Sequence, residues 1–436
     1  MRPGRRLLVY GVGALALSLL IIALPALPDA LAPAVWAALL LAAALDAAIS
    51  PGRRALTLAL APPGQVFSGE TASLALQIRA DAPRRMPALA EARVELSEDL
   101  GGQLSFPLIR TPDGATGEIR IPARKRGVFA IHAVWLSWPS RLGLWEFTPR
   151  YAFDAELLVE PNIRPVSSGQ IDATVQSELY GVKDTVTRGE GSEFHQLVEF
   201  TTGMDSRTID WKRSARHRDL VAKEMRAERN HQIILCLDNG YLMRSEVAGL
   251  ARIDHAINAA LCVAWAAGLG GDLVGLYSFD AEPRHYLPPQ PARAGFAALR
   301  AEMAGLAYQK VESNHTLALA HLGALLKRRS LIVIFSDFAD TTTAELLVEN
   351  LAVLNRQHVI LFVTLRDPGL QAGQDGDARD ATAVAEAVVT ADMLRERQLV
   401  LDRLARLGVL CLETAPNELS PRLLSAYLDI KARELI

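Results

Sequence analysis

Three acidic residues each follow an unbroken apolar run in the second half of the chain. Asp238 ends HQIILCLD, Asp280 ends GDLVGLYSFD and Asp337 follows LIVIFS. Apolar runs of this length, without alternation, read as strands covered on both faces. In an open α/β sheet, ligands bind beyond the carboxyl ends of such strands. Carboxylates gathered there supply hard oxygens. A divalent ion with an activated water would make Asp238, Asp280 and Asp337 the cluster of a metal-dependent hydrolase.

A second concentration of chemistry lies at Arg188–Lys223, RGEGSEFHQLVEFTTGMDSRTIDWKRSARHRDLVAK. It holds two acid–aromatic pairs, Glu193-Phe194 and Glu199-Phe200, and the pair Asp210-Trp211. Between Arg207 and Arg229 stand eight Lys or Arg against four Asp or Glu. The segment is too charged for a core and too rich in aromatic and aliphatic residues for a solvated linker. Two readings are open. In one, the local positive excess is a docking surface for an acidic partner. In the other, Asp205, Arg207, Asp210 and Arg216 pair internally and clamp the segment onto the domain that follows, with Trp211 as its buried anchor.

Several chemistries are excluded. The sequence has no G-x-x-x-x-G-K-[ST], H-E-x-x-H, G-x-S-x-G or C-x-x-C. Its nine His show no metal-ligand spacing. Net charge is −3, and the basic excess after Arg207 is interleaved with acids, so nucleic acid is not an expected partner. Cys236, Cys262 and Cys411 are far apart in apolar runs and read as buried free thiols in a reducing compartment.

The elements that position these residues follow from patterning. Half of the chain is apolar, largely because of its start. Leu7–Pro28 has no charge and Leu31–Ser50 carries only Asp46, so residues 1–54 read as a transmembrane helical hairpin rather than a cleaved signal peptide. Arg2, Arg5, Arg6, Arg53 and Arg54 flank the spans, and the intervening turn has no Lys or Arg. Both ends then face the cytoplasm from the inner membrane. Asp46, near the cytoplasmic end of its span, is expected to reach water. Residues 55–165 show short alternating runs between turns, as in an antiparallel β-sandwich, with Trp135, Trp138 and Trp145 as packing residues. Residues 166–230 hold the charged segment. Residues 231–436 alternate strands with helices, a doubly wound α/β domain interrupted by a polar loop at 368–388.

The charged segment also carries a dense signature. Gly191, Glu193, Phe194, Leu197, Gly203, Asp205, Arg207, Ile209, Asp210, Trp211, Ser214, Ala215 and Arg216 resemble that of the bacterial domain-of-unknown-function family 58. Val198 and Phe200 stand where that family usually has Arg and Tyr. Arg141-Leu142-Gly143-Leu144 is similar to its D-x-x-G-L element, with Ser140 and Arg141 in place of the usual acid. The resemblance implies that the α/β domain is von Willebrand factor A-like. Such domains bind Mg²⁺ through Asp-x-Ser-x-Ser, a distant Thr and a distant Asp, which here are Asp238, Thr316 and Asp337. Gly240 and Leu242 occupy the two Ser positions, so any Mg²⁺ site is weak and degenerate. The resemblance further implies a partner, a MoxR-type AAA+ ATPase. The chain is thus expected to be a membrane-anchored adaptor without catalysis. Its partners would meet that degenerate face and Glu193, Asp205, Arg207, Asp210, Trp211 and Arg216; the alternative is the strand-end hydrolase.

Overall fold

Two 19-residue apolar helices open the chain, α1 (Arg5–Ala23) and α2 (Leu31–Ile49). At 1.5 Å per residue each is about 28 Å long, close to the roughly 30 Å of a hydrocarbon core. The computed structural model describes residues 1–436 except 25–27, 29, 54–55, 62, 81–86, 88–90, 113, 170, 172–192, 202–203, 218, 227–230, 339–340 and 368–380. It divides into two units, Met1–Glu160 and Pro161–Ile436.

The first unit joins the hairpin to two β-sheets. One sheet is β2 (Leu56–Ala61), β4 (Thr71–Ala80), β8 (Gly114–Pro122) and β7 (Ile109–Thr111), in that order. The other centres on β9 (Gly127–Pro139), flanked by β5 (Glu91–Leu96) and β11 (Arg150–Glu160). Its remaining strands are β1 (Arg2–Pro3), β3 (Val66–Phe67), β6 (Gln103–Pro107) and β10 (Trp145–Phe147). Alternation dictates the packing: every second side chain of β4 from Ala72 to Ile78 is buried. Leu74, Leu76, Ile119 and Ile121 of one sheet share a core with Val94, Ile131, Val134 and Leu136 of the other. Trp138 is buried and stacks on Phe147 at 5.9 Å, the packing role expected of it.

The hairpin is stitched to this second sheet. β1 pairs with β10, Arg2 binds Glu146 at 2.8 Å, and the Trp145 indole donates to the Ala43 carbonyl at 2.8 Å. A Cβ on Gly4 would lie 2.7 Å from the Gly143 carbonyl, so only glycine admits this approach. The expectation that Asp46 reaches water is corrected: it is 0% exposed. Its carboxylate accepts from the Ser140 hydroxyl (2.5 Å) and from the Leu142 (2.9 Å) and Leu144 (3.2 Å) N–H groups. The 140–144 turn supplies the hydration that water would have supplied.

The second unit begins with a helical turn, α3 (Arg164–Ser167), followed by the hairpin β12 (Glu193–Glu199) and β13 (Val221–Arg226), which enclose α4 (Trp211–His217). A six-stranded sheet follows. Its strands are β14 (Gln232–Asp238), β17 (Leu273–Phe279), β18 (Pro283–Pro291), β19 (Leu331–Phe335), β20 (Val359–Leu365) and β21 (Leu410–Thr414), in the spatial order β18-β17-β14-β19-β20-β21. All but β18 run parallel. A small ladder, β15 (Glu246–Val247) with β16 (Leu250–Ala251), precedes the helices. These are α5 (Arg252–Leu269), α6 (Ala292–Gly305), α7 (His315–Leu325), α8 (Thr341–Leu354), α9 (Ala381–Arg406) and α10 (Leu419–Ala432). β14, β19 and β20 are buried almost throughout, as their unbroken apolar runs require. β18 escapes sequence reading because it holds Pro283, Pro288, Pro289 and Pro291; as an edge strand it tolerates them. Residues 381–388, expected in a loop, are the first turns of α9; 368–380 lie outside the described residues. Cys236 and Cys262 are buried and all three cysteines are free, as expected.

Candidate functional site

Strand order reverses at β14: its next neighbour in sequence, β17, lies on one side, and β19 lies on the other. The crevice at such a switch point is where α/β sheets hold ligands. Asp238 closes β14 and Ser336-Asp337 follows β19, so the fold brings two of the sequence-predicted residues to its two lips.

Asp238 is buried and its oxygens are filled by proton donors. Oδ1 accepts from the Gly240 N–H at 2.9 Å and from the Ser313 hydroxyl. Oδ2 accepts from the Ser336 hydroxyl at 2.5 Å and faces His315 Nε2 at 3.2 Å. A Cβ at position 240 would fall on Ser313 Oγ. The hydroxyl that a serine at 240 would have brought is thus delivered by Ser313 instead. Thr316 does not join this group: it is exposed and its hydroxyl accepts from Asn350 on α8 at 3.2 Å. The neighbouring His315 is the residue that reaches Asp238.

Asp337, 6% exposed, is compensated differently. Oδ2 faces Arg252 Nη1 at 2.7 Å and Oδ1 faces Arg397 Nη1 at 2.5 Å. Thr364 Oγ1 (3.3 Å) and the Phe338 N–H (3.0 Å) also donate to Oδ1. Asp280 is fully buried and gripped by Arg284 Nε at 2.8 and 2.9 Å. A divalent cation needs oxygens whose lone pairs face it. These three carboxylates turn theirs to hydroxyls, N–H groups and guanidiniums. Neither the set Asp238, Thr316, Asp337 nor the hydrolase cluster fits a divalent ion. Among the described residues no group of three or more His, Cys, Asp or Glu could hold a metal.

Sequence reading missed Arg252, Arg397, Ser313 and Ser336. Arg252 had a signal, a charge at the head of a helix, α5, that is apolar over most of its length. Arg397 had none, because it sits within the charged run LRERQ.

The charged segment folds through backbone and short side chains. Glu193 opens β12 in register with Arg226. Asp205 caps the turn at 206–208 by accepting the Arg207 N–H at 2.9 Å. Asp210 accepts the Arg213 N–H at 3.2 Å and faces Lys223 Nζ at 3.6 Å. The Arg213 bond first, then the Lys223 charge, hold its carboxyl below the usual range against partial desolvation. Ser214 ties the segment together, donating to the Asp210 carbonyl (2.8 Å) and accepting the Val221 N–H (2.9 Å). The expected anchor is corrected: Trp211 is 68% exposed. Arg207, Lys212, Arg213 and Arg216 are exposed as well. Gly191 and Gly203 lie outside the described residues.

Residues 196–397 match the model of a family described as "Protein of unknown function DUF58". This stretch, a little under half of the chain, carries the DUF58 match. The DUF58 match begins inside β12 and ends on Arg397, so it takes in the charged segment from Gln196 onward together with Asp238, Asp280 and Asp337. No curated protein matches. Two solved structures are similar to this chain. One is the conserved hypothetical protein BatB of Bacteroides thetaiotaomicron, at 13% identity and TM-score 0.34, covering 47% of this chain and all of that one. The other is an uncharacterized membrane spanning protein of Vibrio fischeri, at 15% identity and TM-score 0.18, with the same coverage.

Proposed function

We propose that this protein is a membrane-anchored adaptor that binds protein partners and catalyses no reaction itself. Helices α1 and α2 form an inner-membrane hairpin, and both units face the cytoplasm. The pairing of Arg2–Pro3 with the Trp145–Phe147 strand supports this topology, since it keeps the start of the chain with the sandwich. The α/β unit is read as von Willebrand factor A-like. Its switch-point face is built for rigidity, because every strand-end carboxylate is already satisfied. Partner binding then falls to the charged segment.

One observation carries the reading: Trp211 is exposed among Arg207, Lys212, Arg213 and Arg216. An exposed tryptophan with exposed cations close by in sequence has the composition of an interface hot spot, and Asp205, Asp210 and Ser214 fix the backbone that presents it. The partner proposed is a MoxR-type AAA+ ATPase presenting an acidic surface. The test is capture of such an ATPase from the same cell by full-length protein in detergent micelles. Trp211→Ala and Arg216→Ala are expected each to reduce capture at least tenfold with unchanged melting. Full capture by both variants defeats the proposal.

A further inference from the structure

Four oxygens surround the guanidinium of Arg397: Asp337 Oδ1 at 2.5 Å, Glu413 Oε1 at 2.9 Å, the Leu365 carbonyl at 3.3 Å, and Thr364 Oγ1. They come from the ends of three neighbouring strands. Asp337 follows β19, Thr364 and Leu365 close β20, and Glu413 lies on β21. Two carboxylates, a carbonyl and a hydroxyl are the hard-oxygen set that Mg²⁺ or Ca²⁺ takes. Here the positive charge arrives on a side chain. The guanidinium also lies over the Phe338 ring at 5.2 Å. Arg252 takes the other Asp337 oxygen and donates to the same Leu365 carbonyl at 2.9 Å.

The charges balance without an ion. Asp337 faces Arg252 and Arg397, Glu413 faces Arg397 and, at 3.7 Å, Arg366, and Asp367 faces Arg252 at 3.8 Å. A divalent ion added to this neutral cluster would leave two positive charges uncompensated. Arg397 also stands where α9 meets the sheet. Val388, Val389 and Met393 before it are exposed, whereas Val400, Leu401 and Leu404 after it are buried.

We propose that Arg397 is a tethered cation. It fills an oxygen cage at the ends of β19, β20 and β21, latches α9 to the sheet, and makes this face independent of metal. Removing it leaves a site for a divalent cation. This stands apart from the adaptor reading and survives the loss of it.

The experiment titrates Mg²⁺ and Ca²⁺ into full-length protein in detergent micelles by calorimetry and follows thermal melting. The wild type is expected to give no saturable heat at millimolar cation and no change in melting with a chelator. Arg397→Ala is expected to melt lower and to regain part of the loss with Ca²⁺. Adding Asp337→Asn to that variant is expected to abolish the recovery. Should Arg397→Ala not fold, Arg397→Lys keeps the charge without the planar fork. It is expected to melt below wild type and to ignore Ca²⁺. Saturable binding by the wild type that Asp337→Asn removes would overturn the proposal. So would wild-type melting of Arg397→Ala, or a Ca²⁺ response of Arg397→Lys.

Discussion

Asp46 in the first unit and Asp337 in the second are both buried carboxylates beside apolar elements, and they are satisfied in opposite ways. Asp46 receives neutral donors from a single turn, residues 140–144. Asp337 receives two guanidiniums from helices far apart in sequence, Arg252 on α5 and Arg397 on α9. Dipoles from one turn make a local joint whose parts move together. Full charges from separate helices make a long-range joint, and losing one member unbalances a buried charge cluster. The first arrangement ties an apolar hairpin to a sheet; the second closes the end of a sheet.

The comparison predicts unequal costs. Asp337→Ala takes from Arg252 and Arg397 the carboxylate they share, leaving them only Asp367 and Glu413, and is expected to cost about 3–5 kcal/mol, the range for breaking a buried pair. Urea unfolding of the full chain measures it; a loss under about 1 kcal/mol would mean the arginines rotate to water. Asp46→Ala is expected to cost less, about 2–3 kcal/mol, because it leaves neutral donors unpaired. Cysteine cross-linking between positions 43 and 145 should then slow severalfold, since Trp145 packs on Ala43 through the same turn. Unchanged cross-linking would show that Asp46 is not the joint.

Asp238 lies between these two cases, and it allows a swap. Gly240→Ser puts a Cβ where Ser313 Oγ sits and is expected to destabilise by about 1–3 kcal/mol through overpacking. Ser313→Gly alone removes one donor from Asp238 and is expected to cost about 1–2 kcal/mol. The double variant should recover most of both losses, because the hydroxyl then returns from the other side. Additive losses, read in a double-mutant cycle, would refute the exchange.

These cases show what was legible. Patterning placed the two apolar helices, the alternating β4 and the buried strands β14, β19 and β20, because burial on one face or two leaves a period in sequence. It placed Asp238 and Asp337 at one crevice, because strand ends are readable. It missed the donors that satisfy them. Ser313, Ser336 and Arg397 are joined to their acids only by the return of distant strands and helices, and no local period marks them. Trp211 was misjudged for a related reason: an aromatic beside Asp210 reads alike whether it faces inward or out. The capping of the segment by Asp205, Asp210 and Ser214 decides which, and capping by short side chains leaves the large ring free.

The smallest predicted effect separates the α/β unit from neutral charge balance by pH. His231, His255 and His358 all belong to it, and burial is the main cause holding each below its ordinary value of 6.5. His255 spends its Nε2 proton on the Val247 carbonyl at 2.9 Å, and among the described residues neither ring nitrogen of His358 has a hydrogen-bond partner. With folded values depressed, the unfolded chain binds more protons than the native one as pH falls through 6.5. Stability is therefore fully present above that pH and declines below it until the folded values are passed. The Asp337–arginine cluster carries no histidine, so His358→Gln should flatten this decline without touching the cost of Asp337→Ala. Melting midpoints from pH about 8 down to about 5 measure it. A slope that His358→Gln, His255→Gln and His231→Gln together leave unchanged would assign the acid sensitivity to the carboxylates, and the strand-end cluster would then be the more fragile joint on both counts.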